Sequence, residues 1–176
     1  MNDRLRLRAL TMDDAKITWK WRNLEDIVDE YSGHPFPVNY ELEKAWYEKF
    51  IYSNIPTTTF GIEIFNPEKL IGLTFLKGIN YLNRETEFAI IIGDVEERGK
   101  GYAQEATQKT LAFAFFKLGL NRVFLKVIED NSVAVKLYEY CGFVKEGILR
   151  ESIFKNNKLK NQIVMSILKS EFMENQ

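Results

Sequence analysis

The sequence predicts an α+β domain: a mixed, mostly antiparallel sheet of about seven strands flanked by about four helices. Three observations carry that prediction. Between Thr57 and Ile92 the segments read as strands, whereas from Lys100 apolar residues recur every three to four positions. The turns between the middle strands are too short for crossovers, so those strands pair as antiparallel neighbours. A strand then bends through two glycines into a helix, and a further strand follows, as a crossover between near neighbours requires.

Taken in order, Arg4-Leu5-Arg6-Leu7-Arg8-Ala9-Leu10 alternates and reads as a first strand with one face on the core. Thr11, with Asp14 three places on, supplies an N-cap for a helix running to about Asn23. Two prolines and a glycine make Tyr31 to Pro37 a loop. A second helix is expected from Tyr40 to Tyr52. Thr57 to Phe65 is a strand, Asn66 to Lys69 a hairpin turn, and Leu70 to Lys77 the partner strand. Glu85 to Ile92 is the next strand. The helix from Lys100 carries Ala103, Ala106, Thr107, Thr110, Leu111, Ala114, Phe115 and Leu118 on one stripe, with Gly119 as its C-cap. Arg122 to Ile128 is a strand and Asn131 to Tyr140 a helix ended by Gly142. Phe143 to Phe154 and Gln162 to Leu168 are the last two strands, joined through the turn Asn156-Asn157-Lys158.

The totals bound the function. The 176 residues suit one domain over positions 1–176 with a substantial core. A formal net charge of −1 gives no field-driven attraction to nucleic acid and no polybasic membrane patch. No apolar run reaches membrane-spanning length, and the opening residues read as a strand rather than a signal peptide. One cysteine, Cys141, permits no intramolecular disulfide and fits a reducing cytoplasm. With one cysteine and one histidine, a conventional zinc site is out of reach, so no metal is expected.

Glu97-Arg98-Gly99-Lys100-Gly101-Tyr102-Ala103 is where chemistry enters. A strand that bends through glycines into a helix N-terminus presents unpartnered N–H groups and the positive end of a dipole. Gly99 and Gly101 let a diphosphate approach the backbone, and Arg98 and Lys100 add positive charge. The spacing is neither a P-loop nor a dinucleotide fingerprint, since Lys100 alone separates the glycines and Gln104 stands where a third would fall. A glycine-eased turn with no ligand is the alternative on this stretch alone.

The element order, carrying this bend in its middle, resembles the GNAT superfamily of acetyl-CoA-dependent N-acetyltransferases. Its loop pattern Gln/Arg-x-x-Gly-x-Gly/Ala is matched by Arg98, Gly101 and Ala103. Its second pattern, an asparagine at a helix start and Tyr-x-x-x-Gly-Phe near the end, is matched by Asn131, Tyr138, Gly142 and Phe143, with Ala134 at the small position between. The resemblance is firm from Glu85 to Leu168. Trp21-Arg22-Asn23 and the ending from Ile148 resemble the branch of ribosomal-protein, spermidine and nucleotide-amino-sugar acetyltransferases, and Glu85 to Ala103 is most like the spermidine enzymes. Two departures stand out: one extra residue in Gly93-Asp94-Val95-Glu96, and Glu97 where such relatives commonly carry an aromatic.

The resemblance implies acetyl-CoA as donor, with its pyrophosphate on backbone N–H groups of Arg98, Gly99, Lys100, Gly101, Tyr102 and Ala103. It implies that Ala89, Ile90 and Ile91 splay from the strand containing Leu125 to Ile128, with the Ile91 N–H facing the thioester oxygen. Asn131 orients the cofactor arm, caps its helix, or both. Tyr138 is the candidate general acid, a phenol of pKa about 10 able to protonate a departing thiolate. Its alternative is a core aromatic. Glu87, sharing a strand face with Glu85, Ala89 and Ile91, is the first candidate for base or ammonium-binding carboxylate, against an ordinary exposed carboxylate. His34 reads as a packing or surface residue more readily than as a base, and Cys141 as a packed side chain. Trp19, Trp21, Phe36, Tyr40 and Trp46 are pocket-wall candidates whose default is core.

Direct transfer to a primary amine is the expected reaction. Asp26, Asp29, Glu30, Glu41 and Glu43 would suit a polycationic acceptor such as spermidine, or form a solvated helix face. A ribosomal-protein N-terminus, a nucleotide-linked amino sugar, and a non-catalytic acyl-CoA sensor remain as alternatives, and a homodimer through the C-terminal strands is expected by analogy.

Overall fold

The computed structural model describes residues 4–30, 36–51 and 58–174. The alternating N-terminal stretch forms β1 (Leu5–Arg8). Thr11 and Asp14 make the expected capping box, after which a 3₁₀ turn leads into α1 (Ala15–Trp21). That helix stops short of Asn23, whose side chain instead bonds the Val38 N–H at 2.9 Å and the Val38 carbonyl at 2.7 Å. It thereby ties the end of α1 to the approach to α3 (Tyr40–Ile51).

Two short helices, α2 (Glu25–Glu30) and α6 (Lys169–Glu174), bring the α-helices among the described residues to six rather than about four. Each spans six residues, too few for an apolar stripe to show its period. Residues 31–35 of the expected loop, His34 among them, lie outside the described residues, as do Tyr52 and Thr57.

β2 (Thr58–Phe65) and β3 (Glu68–Asn80) form the expected hairpin, and β4 (Glu85–Ile92) has the expected bounds. The glycine bend leads to α4 (Tyr102–Ala112), which continues as a π-helical segment, Phe113–Lys117. β5 (Arg122–Ile128), α5 (Ser132–Tyr140), β6 (Val144–Lys155) and β7 (Lys158–Leu168) complete the order. Asn156 and Asn157, both at positive φ, make the β6–β7 turn.

The seven strands form one sheet in the order β1-β2-β3-β4-β5-β7-β6. Every neighbouring pair is antiparallel except β4 and β5. Alternation along β4 divides the core between the two faces. Phe88 packs with Leu111, Phe115, Tyr138, Phe143 and Met165 on the α4–α5 side. Ala89 and Ile91 pack with Leu10, Trp21, Tyr47 and Phe75 on the side of α1 and α3. The sheet is thus covered on both faces where β4 meets β5, which is where it opens.

Candidate active site

The parallel ladder between β4 and β5 is short. It runs only from Glu85–Arg122 to Glu87–Phe124, while β4 continues to Ile92 on β3 and β5 continues to Ile128 on β7. Beyond Glu87 the two strands diverge as the resemblance implied, leaving one edge of each without a strand partner. A cavity of about 420 Å³ fills the fork. Its walls include Ala89, Ile90 and Ile91 from β4, Val127 from β5, Gly99 and Gly101 to Ala103 at the bend, Asn131 at the cap of α5 and Tyr138 within it.

Register decides which β4 groups face that gap. Gly93 N–H donates to the Ile71 carbonyl at 2.9 Å, and the β3–β4 pairing is unbroken from Gly72–Ile92 to Lys77–Glu87. Backbone groups alternate edges along a strand, so Ile91 N–H turns to β3 with Gly93, and the expectation that it faces a thioester is corrected. Ile90 and Ile92 face the fork instead. The Ile92 carbonyl, which takes a 3.0 Å bond from Arg98 Nε, lies on that edge. Side-chain alternation alone could not show this, because it says which face a residue takes but not which edge.

The end of β4 is shaped by packing. A Cβ on Gly93 would fall 1.9 Å from Trp21 Cδ2, so the indole occupies the space a side chain would need. Trp21 is a buried packing residue against the strand end. Gly93 and Asp94 both donate to the Ile71 carbonyl, which bends the chain out of the sheet. Asp94 then caps a 3₁₀ turn, Val95–Glu97, by accepting from Glu96 N–H at 3.1 Å.

At the bend itself, Gly99 and Gly101 have φ of 73° and 83°, which a residue with a Cβ rarely adopts. A Cβ on Gly99 would meet nothing within 4 Å, so the bend is open there. The first helical bond of α4 is Glu105 N–H to the Gly101 carbonyl. The N–H groups of Tyr102, Ala103 and Gln104 therefore lack acceptors within the helix, at the positive end of its dipole. These features fit a diphosphate.

Two expected donors are otherwise engaged. Arg98 N–H bonds the Val95 carbonyl at 3.3 Å, and its guanidinium bridges the Ile92 carbonyl and Asp26 on α2. Lys100 Nζ pairs with Glu97 at 2.9 Å, which raises its pKa. Glu97, in the position of the relatives' aromatic, is thus held by Lys100, with Lys69 at 3.9 Å. Arg98 ties α2 to the bend and also lines the cavity.

Tyr138 is buried, edge-on to Phe88 at 6.4 Å and to Phe143 at 5.7 Å, and it lines the cavity. Core aromatic and cavity wall are both true of it. Glu87 lines the same cavity at the last rung before the fork, whereas Glu85 is held by Arg122 at 2.8 Å and is not part of the wall. Asn131 caps α5 by accepting from Ala134 N–H at 2.9 Å, and it too lines the cavity. Burial pushes the Cys141 thiol up to about 11, against bonds that pull it down, so it is protonated at neutral pH. No nucleophilic role remains for it.

A second cleft, about 530 Å³, adjoins the first through Asp26, Ile128 and Asn131. Glu25, Asp29 and Asp130 line it, with Asn156 and Lys160. Asp29 accepts from Asn156 at 2.9 Å, and Asp130 lies 3.4 Å from Lys160. The acidic residues of the first third therefore divide. Asp26 and Asp29 reach this cleft, Glu41 is exposed, and Glu43 is buried beneath Thr18 at 2.7 Å and Arg22 at 3.2 Å. Glu43 braces α1 against α3 and is not available to a ligand.

An open β4–β5 fork beside a glycine-bearing helix start is the arrangement that the resemblance to acetyl-CoA-dependent transferases implies. Residues 4–144 match the acetyltransferase (GNAT) domain, and the chain belongs to that family, the N-acetyltransferases that use acetyl-CoA as acetyl donor. The spermidine N(1)-acetyltransferase of Vibrio cholerae is 38% identical over 173 residues, covering 98% of each chain. The Escherichia coli K12 enzyme of the same name is 30% identical over 169 residues, 96% of this chain and 88% of that one. A crystal structure of the Vibrio cholerae enzyme in complex with CoA and spermine matches with a TM-score of 0.90 at 35% identity, covering 98% of this chain and 99% of that chain. Another structure of that enzyme, described as dodecameric, matches with a TM-score of 0.85, also at 35% identity, over 99% of each chain. Among the described residues no helix is long and apolar enough to cross a membrane, and no cluster could hold a metal ion.

Proposed function

We propose that this chain moves the acetyl group of acetyl-CoA onto a primary amine of a polyamine such as spermidine. The observation that carries the choice of amine is the acidic cleft of Glu25, Asp26, Asp29 and Asp130 opening directly beside the fork. A chain with several ammonium groups could seat one nitrogen at the fork and its others along those carboxylates. Similarity to two spermidine acetyltransferases supports the same reading.

Acetyl-CoA supplies an activated acyl group and a thiolate leaving group. The N–H groups at Gly99 and Gly101 to Ala103 hold the diphosphate, and the Ile90 and Ile92 edge of β4 takes the pantetheine amides as an added strand. Ile90 N–H replaces Ile91 as the donor to the thioester oxygen, where such a donor contributes a few kcal/mol of transition-state stabilisation. Glu87, directly or through water, takes a proton from the ammonium. The amine nitrogen then bonds the acyl carbon, the C–S bond breaks as Tyr138 O–H protonates the sulfur, and the nitrogen's second surplus proton passes to the Tyr138 phenolate, leaving the neutral amide and CoA thiol.

Assembly follows the same comparison. The dodecameric relative supports an oligomer larger than the homodimer expected by analogy. β6 is an edge strand with Ile148, Leu149 and Phe154 exposed, a surface a second copy would cover.

A thiol-release assay over a panel of amines tests the function. Spermidine and spermine are expected to release CoA well above the amine-free rate. Preference for a ribosomal-protein N-terminal peptide or a nucleotide-linked amino sugar would overturn the polyamine assignment, and no release with any amine would overturn catalysis.

A further inference from the structure

The glycines that open the bend also widen the set of shapes its backbone can take. Gly99 and Gly101 flank Lys100, and the Lys100–Gly101 peptide could turn over at little cost, exchanging its N–H for its carbonyl. A carbonyl turned into the fork would repel a diphosphate, so some contact has to choose the orientation.

The contact comes from the residue just before β1, far away in sequence. Arg4 Nη1 donates to the Lys100 carbonyl at 3.0 Å. Its Nε and its backbone N–H donate to the Glu105 carboxylate at 3.0 and 3.2 Å, and its guanidinium lies 4.9 Å from the centre of the Tyr102 ring. Gly101, Tyr102 and Ala103 line the fork cavity, whereas Arg4 and Lys100 do not. Arg4 therefore grips the outer surface of the bend. In a trans peptide the carbonyl and N–H point opposite ways. Drawing the Lys100 carbonyl outward turns the Gly101 N–H toward the fork.

We infer that Arg4 is a positioning residue for cofactor binding, setting the Lys100–Gly101 peptide so that the Gly101 N–H faces the diphosphate. The inference rests on the reading that this bend holds the diphosphate. Glu105, one turn into α4, holds Arg4 in place and so belongs to the same device. The motif at 98–103 gives no hint of it, because the partner lies almost a hundred residues earlier in sequence.

Isothermal calorimetry with acetyl-CoA and with S-acetylpantetheine, which has the thioester arm but no diphosphate, separates the outcomes. Arg4→Met keeps an apolar stem of similar length. It is expected to weaken acetyl-CoA binding roughly tenfold, leave S-acetylpantetheine within twofold, and leave kcat at saturating cofactor unchanged. Glu105→Ala is expected to weaken acetyl-CoA in the same way. If Arg4 instead attracted the diphosphate by its own charge, removing its carboxylate partner would tighten binding, and that result overturns the inference. Equal losses for both ligands, or none for either, also overturn it. Wild-type protein that binds acetyl-CoA no better than S-acetylpantetheine would instead refute the diphosphate reading itself.

Discussion

Replacing Tyr138 by phenylalanine isolates a single oxygen. The ring is buried, edge-on to Phe88 and to Phe143, and phenylalanine preserves both contacts. Packing therefore changes little, and the melting temperature is expected to stay within about 2 °C of wild type, equivalent to less than about 1 kcal/mol for a chain of this length. Catalysis is different. General acids commonly contribute about 10²–10⁴-fold, but a thiolate is a tolerable leaving group without help. The expected loss in kcat is therefore at the lower end, about 10–100-fold, with KM for acetyl-CoA and for the amine within about twofold. Steady-state thiol release and a thermal melt on the same preparation measure both. An unchanged kcat, or a kcat loss accompanied by a fall of many degrees in Tm, would refute the general-acid role and leave Tyr138 a core aromatic.

Other predictions follow from other parts of the molecule. Gly93→Ala puts a methyl within 1.9 Å of the Trp21 ring and is expected to cost about 1–3 kcal/mol by overpacking, read as a Tm loss. Arg8→Met strips a cationic partner from Asp14 and Glu63, both buried, and is expected to destabilise by about 3 kcal/mol in urea unfolding at pH 7, the low end because Thr11 N–H and Arg6 still bond them. The same pair gives a pH dependence. Burial alone would raise both carboxyls, but bonds from Arg8, with Thr11 N–H at Asp14 and Arg6 at Glu63, outweigh it and hold both below their ordinary range. The fold then binds these protons less tightly than the unfolded chain, so their contribution is present above about pH 4 and lost as pH falls through the folded values. Stability that rose on acidification below pH 4 would contradict this. Cys141 should resist iodoacetamide at pH 7.5 in the folded protein and react readily in urea; rapid labelling of the native chain would contradict its burial.

The strand bounds of β4 and β5 were legible because their apolar runs end at strong punctuation, the glycines on one side and Glu129-Asp130-Asn131 on the other. That they lie near one another follows from the helix crossing between them, and their parallel pairing is shown by the structure. The fork was legible only through resemblance, since no local pattern says where a ladder stops. The edge that Ile91 takes is not legible in the sequence, for a definite reason. Composition and period place a residue on a face, but the edge its N–H takes depends on pairing with β3. The sequence places Arg98 at the bend, and the structure keeps it in the cavity wall; that its guanidinium also reaches Asp26 and the Ile92 carbonyl is visible only in the fold. Glu43 was one acidic residue among several in the sequence, and only tertiary packing buries it under Thr18.

A crystal structure of the chain with CoA bound tests the central claim most directly. The account predicts diphosphate oxygens within hydrogen-bonding distance of the backbone N–H groups at Gly101 to Ala103, and the pantetheine arm between β4 and β5 beyond Glu87. Density placing the diphosphate away from that bend, or the arm outside the fork, would contradict it.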